Sequence, residues 1–158
     1  MSAESSETIF YQRCQFATPL PVQFLYTPGH HWLARQPDGL WRVGLTKFAT
    51  RLLGEMVEHG FHVVAGAAVT AGDVIGTLEG FKAVVELRGV LTGRFLGGNP
   101  ALREKPELVN QAPYDAGWLY AAEGTPEAAC LDVHGYCVFL DRTIDGMRLA
   151  AKGDEEMR

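Results

Sequence analysis

Short apolar runs alternate with glycines through the middle of the chain. The runs are only a few residues long, and Gly66, Gly72 and Gly89 lie between them. Because short strands with glycine corners are typical of small barrels and sandwiches, this pattern predicts a mainly β fold. The predicted strands cover residues 61–69, 74–81, 83–90, 93–96 and 118–121.

A hairpin and a short helix are predicted ahead of these strands. Alternating apolar positions in residues 32–45 are interrupted by Pro37-Asp38-Gly39, which is a typical turn sequence. Thr46 is placed to cap a helix at its start, and Gly54 is placed to end it in a left-handed conformation. This helix would close one end of the barrel.

The second half of the chain adds two further predicted helices. Asn99 before Pro100 is typical of a helix start, and residues 110–115 are predicted to form a loop. Beyond Pro126, apolar residues recur every three or four positions, which indicates an amphipathic C-terminal helix packed on the body by one face. The residues of that stripe are Val133, Cys137, Leu140, Ile144 and Met147.

The chain therefore divides into three predicted parts. Residues 1–25 form an N-terminal arm, in which 1–8 are rich in serine and glutamate and predicted to be mobile, and 9–25 are predicted to lie extended over the body. Residues 26–122 form the central domain, and residues 123–158 form a C-terminal helical extension. The predicted fold is mainly β with short helices and a C-terminal helix.

Composition narrows the possible functions. The 158 residues are 47% hydrophobic and 21% charged, which is ordinary for one compact domain. A net charge of −5 disfavours nucleic acid, because phosphate binding needs a basic face. No apolar run is long enough to span a membrane and the N-terminus lacks a signal pattern, so we expect a cytoplasmic protein without a membrane partner.

The thiols and imidazoles predict no catalytic or metal site. Three cysteines, Cys14, Cys130 and Cys137, are an odd number at unremarkable spacing, so reduced thiols are expected. The five histidines form no His-Glu-x-x-His motif and no paired Cys-x-x-Cys accompanies them, so they are predicted to be structural. No nucleophile elbow surrounds any serine or cysteine. The histidines are His30, His31, His59, His62 and His134.

One lysine stands alone between two apolar runs. The segment reads Leu78-Glu79-Gly80-Phe81-Lys82-Ala83-Val84-Val85-Glu86 and predicts a hairpin whose tip presents an amine to water, with Gly80 letting the chain turn. Edge strands often carry a lysine simply to stay soluble, and that interpretation is the common one. Covalent attachment of a group to the amine is the alternative.

Several stretches of the chain, including the segment around Lys82, resemble a known protein family. They are residues 26–32, 43–54, 79–83, 106–110 and 113–119. Together they resemble the H protein of the glycine cleavage system, which is a lipoyl carrier, from about Tyr26 to Tyr120. His31 stands where that family usually has glutamate, and Gly80 and Phe81 replace its usual serine and valine.

The resemblance implies a barrel-sandwich hybrid of the lipoyl and biotinyl carrier type. It implies that lipoate is joined by an amide to Lys82, with Glu79, Gly80, Phe81 and Ala83 forming the surrounding attachment site. The chain would then be a carrier and not an enzyme. Biotin is disfavoured because biotin sites resemble Met-Lys-Met, and a binding module without lipoate stays an alternative because a fold can outlive its activity.

Partners follow from the same resemblance. A lipoate ligase or lipoyl transferase would attach the cofactor, and Glu79 and Glu86 either help recognition or are ordinary solvated charges. In glycine cleavage the arm would carry an aminomethyl group between glycine decarboxylase, aminomethyltransferase and dihydrolipoyl dehydrogenase. The departures at the tip leave open an H-like lipoate-binding protein that carries sulfur intermediates for a heterodisulfide-reductase-like sulfur oxidation system.

Overall fold

A computed structural model describes residues 7–156, so most of the segment predicted to be mobile lies outside the described residues. The described part contains eleven strands, three α-helices and one 3₁₀-helix. The strands are β1 (Thr8–Arg13), β2 (Phe16–Pro21), β3 (Leu25–Tyr26), β4 (His31–Arg35), β5 (Trp41–Leu45), β6 (Met56–Phe61), β7 (Ala68–Val69), β8 (Val74–Gly80), β9 (Val84–Arg88), β10 (Leu91–Gly98) and β11 (Tyr120–Pro126). The helices are α1 (Lys47–Leu53), the 3₁₀-helix Pro100–Arg103, α2 (Leu108–Gln111) and α3 (Val133–Glu156).

The strands form three antiparallel sheets. Strands β1 and β2 pair with each other, six strands pair in the order β3-β4-β5-β11-β10-β7, and three pair in the order β6-β8-β9. The mainly β architecture with short helices and a C-terminal helix, predicted from the sequence, is confirmed. Lys82 lies on the connection between β8 and β9.

Local signals placed the first helix and its flanking hairpin correctly. Strands β4 and β5 form the predicted hairpin. The hydroxyl of Thr46 accepts a hydrogen bond from the amide of Ala49 at 3.3 Å, and Gly54 ends α1 with a φ of 79°. Asn99 also caps as expected, since its side-chain oxygen accepts from the amide of Ala101 at 3.0 Å.

Other boundaries differ from the prediction. The strand predicted at residues 61–69 is wrong, because the chain turns at Gly66, whose φ is 94°, and apart from Phe61 at the end of β6 only β7 of this stretch pairs. Strand β6 instead precedes it, and its exposed Glu58 masks the apolar pattern that would have revealed it. Helix α2 occupies the start of the predicted loop at 110–115. Strand β11 crosses the boundary placed at residues 122 and 123, so the three-part division stays a prediction.

Two apolar clusters hold the fold together. The first contains buried side chains of both larger sheets, among them Leu33, Val43, Leu78 and Leu87. The second joins the β1–β2 hairpin and α3 to the body. Its buried residues are Tyr11, Phe16, Leu20, Tyr26, Trp32, Ala34, Phe48, Val133, Tyr136, Leu140 and Ile144.

The N-terminal arm is a hairpin docked on α3, not an extended segment. The hydroxyl of Tyr11 donates to Asp141 at 2.7 Å, and Arg13 forms a salt bridge with Asp145 at 2.8 Å. Of the predicted apolar stripe of α3, Val133, Leu140 and Ile144 are buried and Cys137 is partly buried. Met147 is 49% exposed because the helix continues beyond the body.

Candidate functional site

Lys82 lies at the tip of the β8–β9 hairpin. The amide of Gly80 donates to the carbonyl of Ala83 at 2.9 Å, which closes the turn around it. The Lys82 side chain is exposed, and its Nζ donates to the carbonyl of Arg51 at 3.3 Å. This carbonyl belongs to the last turn of α1, where unpaired carbonyls favour a cation.

The backbone of the tip is held against the segment that follows α1. The amide of Lys82 donates to the carbonyl of Leu53, and the amide of Phe81 donates to the carbonyl of Glu55, both at 3.0 Å. Each bond joins the tip to a residue far away in sequence. The base of the lysine side chain is therefore positioned by main-chain contacts, while its amine reaches water.

Gly80 is needed for this close approach and not for turning. Its φ is not positive, and a Cβ atom at this position would lie 2.2 Å from the carbonyl oxygen of Leu53. The sequence interpretation, which gave Gly80 a turning role, was therefore wrong in its reason. Gly54 has a φ of 79°, and a Cβ there would lie 2.9 Å from Cγ of Lys82.

Asn110 ties helix α2 to the same segment. Its side-chain oxygen accepts from the amide of Met56 at 2.9 Å, and its side-chain nitrogen donates to the carbonyl of Gly54 at 3.0 Å. The two bonds fix the segment 53–56, which contains both residues that brace the tip, Leu53 and Glu55. Sequence reasoning included Asn110 in a motif but missed this role, because only the tertiary structure brings α2 to this segment.

The remaining predicted site residues surround the lysine with different exposures. Phe81 is 76% exposed, Glu79 is exposed and Ala83 is half-buried. Glu86 accepts a hydrogen bond from Arg88 at 2.9 Å. The structure thus places Glu79, Gly80, Phe81 and Ala83 directly around Lys82.

An apolar cleft of about 190 Å³ opens beside the tip. It extends between α1 and the β8–β9 hairpin. Its lining residues are Gly29, His31, Leu45, Ala49, Leu52, Leu53, Leu78, Ala83, Val85 and Glu86. Sequence reasoning missed this cleft, because it assigned the apolar face of α1 only to closing the barrel.

A model of the family described as glycine cleavage H-protein matches residues 24–130. The chain belongs to this family. It is 36% identical over 125 residues to the glycine cleavage system H protein of Citrobacter koseri, covering 77% of this chain and 96% of that protein. The protein of the same name from Escherichia coli O6:H1 is 35% identical over the same shares of each chain.

A solved structure of the same family confirms the predicted barrel-sandwich carrier fold. The crystal structure of a glycine cleavage system H protein from Mycobacterium marinum matches with a TM-score of 0.66 and 33% identity, covering 74% of this chain and 95% of that one. The region matched by the H-protein family model excludes β1, β2 and α3. These elements build much of the second apolar cluster.

His31 lines the cleft. Its Nδ1 atom is buried and has no hydrogen-bond partner within residues 7–155. Burial, with a smaller contribution from His30, lowers the pKa of His31 to about 4, so the imidazole is neutral near pH 7.

His30 and Trp32, on either side of His31, have structural roles. The Nδ1 atom of His30 lies 2.8 Å from the hydroxyl of Tyr136, and burial lowers the pKa of His30 to about 4. Trp32 is buried and its indole donates to the carbonyl of Pro113 at 2.8 Å. His30 thereby connects the H-protein core to α3, whereas Trp32 joins two segments within that core.

The described residues contain no group of three or more side chains placed to hold a metal ion. All three cysteines are free thiols, with Cys14 exposed and the other two partly buried. Burial is the main cause that raises the pKa of Cys130, to about 11. Among residues 7–156, no helix is long and apolar enough to cross a membrane.

Proposed function

We propose that this chain is a lipoyl carrier of glycine cleavage, with lipoate joined by an amide to Nζ of Lys82. The observation that carries the proposal is the exposed amine of Lys82 on a tip that main-chain hydrogen bonds hold in place. Membership in the H-protein family supports it further. The attached arm would carry an aminomethyl group between partner enzymes.

The residues around Lys82 fit a lipoyl group. Within the part of the chain that the structure describes, Lys82 forms no salt bridge, so acylation of its amine would break no ion pair. The adjacent cleft is lined mainly by aliphatic side chains, including Leu52 and Val85, which suit an aliphatic chain and a dithiolane. When bound, the lipoyl group supplies a disulfide that can be reduced to a dithiol and reoxidised.

The chain itself would contribute position and not catalysis. Holding the base of a flexible arm turns each encounter with a docked enzyme into an intramolecular event, at an effective concentration reaching about millimolar. The backbone bonds from the tip to Leu53 and Glu55 provide that base. We therefore propose a carrier and not an enzyme, and a cytoplasmic location stays a prediction.

The proposed partners follow from the glycine cleavage assignment. They are a lipoate ligase or lipoyl transferase for attachment, then glycine decarboxylase, aminomethyltransferase and dihydrolipoyl dehydrogenase. The related proteins bear the glycine cleavage name. No structural feature favours the sulfur oxidation alternative with a heterodisulfide-reductase-like complex, so we do not propose it.

Attachment is tested by incubating the purified protein with lipoate ligase, lipoate and ATP. We expect a mass increase of one lipoyl group in the wild type and none in Lys82→Arg. Lys105→Arg, at another exposed lysine, is the matched control and should be modified normally. Absence of modification in the wild type, or modification that persists in Lys82→Arg, would contradict the proposal.

The glycine cleavage role needs a second measurement. Lipoylated protein is incubated with glycine decarboxylase and labelled glycine, and incorporation of label is followed. We expect glycine-dependent loading that Lys82→Arg abolishes. A lipoylated wild type that stays unlabelled would reject glycine cleavage while leaving the carrier role intact.

A further inference from the structure

Helix α1 is held at its first turn by two hydroxyl groups. A helix of seven residues is marginal on its own, and its first amides have no partner within the helix. The hydroxyl of Thr46 accepts from the amide of Ala49, and the hydroxyl of Tyr114 accepts from the amide of Lys47 at 3.0 Å. Both hydroxyls are bonded in turn to side chains outside the region that the family model matches.

Tyr136 of α3 makes the first of these outside contacts. Its hydroxyl lies 2.8 Å from Oγ1 of Thr46 and 2.8 Å from Nδ1 of His30. Thr46 is fully buried, and among residues 7–155 its hydroxyl has no other acceptor, so it donates to Tyr136. Tyr136 then donates to His30, and the Thr46 oxygen keeps a lone pair for the amide of Ala49.

Thr18 of β2 makes the second outside contact. Its hydroxyl donates to the carbonyl of Pro19 at 2.9 Å, so it accepts from the hydroxyl of Tyr114, which is 2.9 Å away. Tyr114 therefore keeps a lone pair for the amide of Lys47. Thr18 is buried, so water does not replace these bonds.

Aromatic packing continues this support along α1 towards the tip. Phe16 of β2 meets Phe48 edge to face, with ring centroids 5.3 Å apart, and the guanidinium of Arg51 lies 5.7 Å from the Phe16 centroid. The carbonyl of Arg51 accepts from Nζ of Lys82, and the carbonyl of Leu53 accepts from the Lys82 amide. Helix α1 thus connects β2 and α3 to the residue that would carry the arm.

We propose that Tyr136 is a positioning residue for the base of the lipoyl arm, acting through Thr46 and α1. This inference rests on the proposed function. Tyr136 does not line the cleft beside the tip. Helix α1 has about two turns, so a shift of its first turn reaches the carbonyls of Arg51 and Leu53 that hold the tip. The contacts of α3 therefore help to fix the place from which the arm starts.

The test compares Tyr136→Phe with Tyr26→Phe. The two rings are fully buried and stack with centroids 4.7 Å apart, but the Tyr26 hydroxyl donates to the carbonyl of Pro21, outside α1. Hydrogen exchange of the Lys82 amide is measured by NMR, and global stability is measured in urea. Beyond any change in global stability, we expect Tyr136→Phe to speed this exchange about fivefold or more and Tyr26→Phe to leave it unchanged. Equal exchange in Tyr136→Phe and wild type, or an equal increase in both variants, would overturn the inference.

Thr18→Val tests the support of α1 without altering α3. It removes the acceptor of the Tyr114 hydroxyl, so we expect the Lys82 amide to exchange about threefold faster or more. If Tyr136→Phe does not fold, this variant takes its place in the test. Unchanged exchange in Thr18→Val would then overturn the inference.

A functional readout separates this inference from the proposed function. Loading of the lipoylated protein by glycine decarboxylase with labelled glycine is measured at varied carrier concentration. We expect kcat/KM to fall about threefold or more for Tyr136→Phe and to stay at the wild-type value for Tyr26→Phe. Normal loading of Tyr136→Phe would reject the positioning role. A wild type that is not loaded rejects glycine cleavage, and hydrogen exchange of the Lys82 amide then decides the role of Tyr136.

Discussion

Replacement of Gly80 by alanine should displace the tip that carries Lys82. The added Cβ would lie 2.2 Å from the carbonyl oxygen of Leu53, whereas ordinary contact begins at 3.4 Å, so the tip and α1 must separate by roughly 1 Å. This movement breaks the bonds from Lys82 to Leu53 and from Phe81 to Glu55. At about 1 kcal/mol for each bond, the free energy of unfolding should fall by about 2 kcal/mol.

Thermal unfolding measures this loss. For a chain of this size, about 2 kcal/mol corresponds to a Tm lower by about 4–8 °C. Gly60→Ala is the matched control, because Gly60 also lies in the β6-β8-β9 sheet and a Cβ there meets nothing within 4 Å. It should leave Tm unchanged or raise it slightly. If Gly80→Ala unfolds at the same temperature as Gly60→Ala, close packing of the tip against α1 is refuted.

Three further outcomes are expected. Asn110→Ala leaves the amide of Met56 and the carbonyl of Gly54 without their partner, so the free energy of unfolding measured in urea should fall by about 2–3 kcal/mol. A fall below about 0.5 kcal/mol would contradict the stabilising role of these two hydrogen bonds. His30 has a pKa of about 4 in the folded state and 6.5 as its ordinary value, so the unfolded state binds more protons between these pH values. This histidine alone should lower the free energy of unfolding by about 2–3 kcal/mol as pH drops from 6.5 to 4, and His31, whose pKa is also about 4, adds to the fall. His30→Asn should make this decline shallower in denaturant titrations at each pH, and an unaltered slope would contradict the assignment. Replacement of each cysteine by serine should leave glycine-dependent loading of the lipoylated protein unchanged, and a large loss in any variant would reveal a role for that thiol.

Features set by neighbouring residues were predictable from the sequence. Thr46 and Gly54 mark the ends of α1 because capping depends on a few residues of local chain. The hairpin around Lys82 followed from two apolar runs on either side of one cation. These signals act within one turn or one strand, so a single sequence contains them in full.

Features set by distant residues were not predictable in this way. The role of Gly80 depends on the carbonyl of Leu53, which belongs to another element, and the role of Asn110 depends on Gly54. The arm illustrates the same limit, because Tyr11 finds Asp141 only after α3 has packed on the body. A sequence shows which groups are available for such contacts, but the tertiary structure decides which of them meet.

The geometry of the tip separates the position of Lys82 from its chemistry. Main-chain atoms make the hydrogen bonds to Leu53, Glu55 and Ala83, and within the described residues the lysine side chain adds only the 3.3 Å bond to Arg51. Since an arginine side chain can keep the main-chain bonds, Lys82→Arg should preserve the tip while removing the acylable amine. Loss of lipoylation in that variant would therefore report on the amine itself, whereas loss in Gly80→Ala would report on its placement. Comparison of the two variants distinguishes the two requirements of a carrier, which are a reactive group and a fixed base.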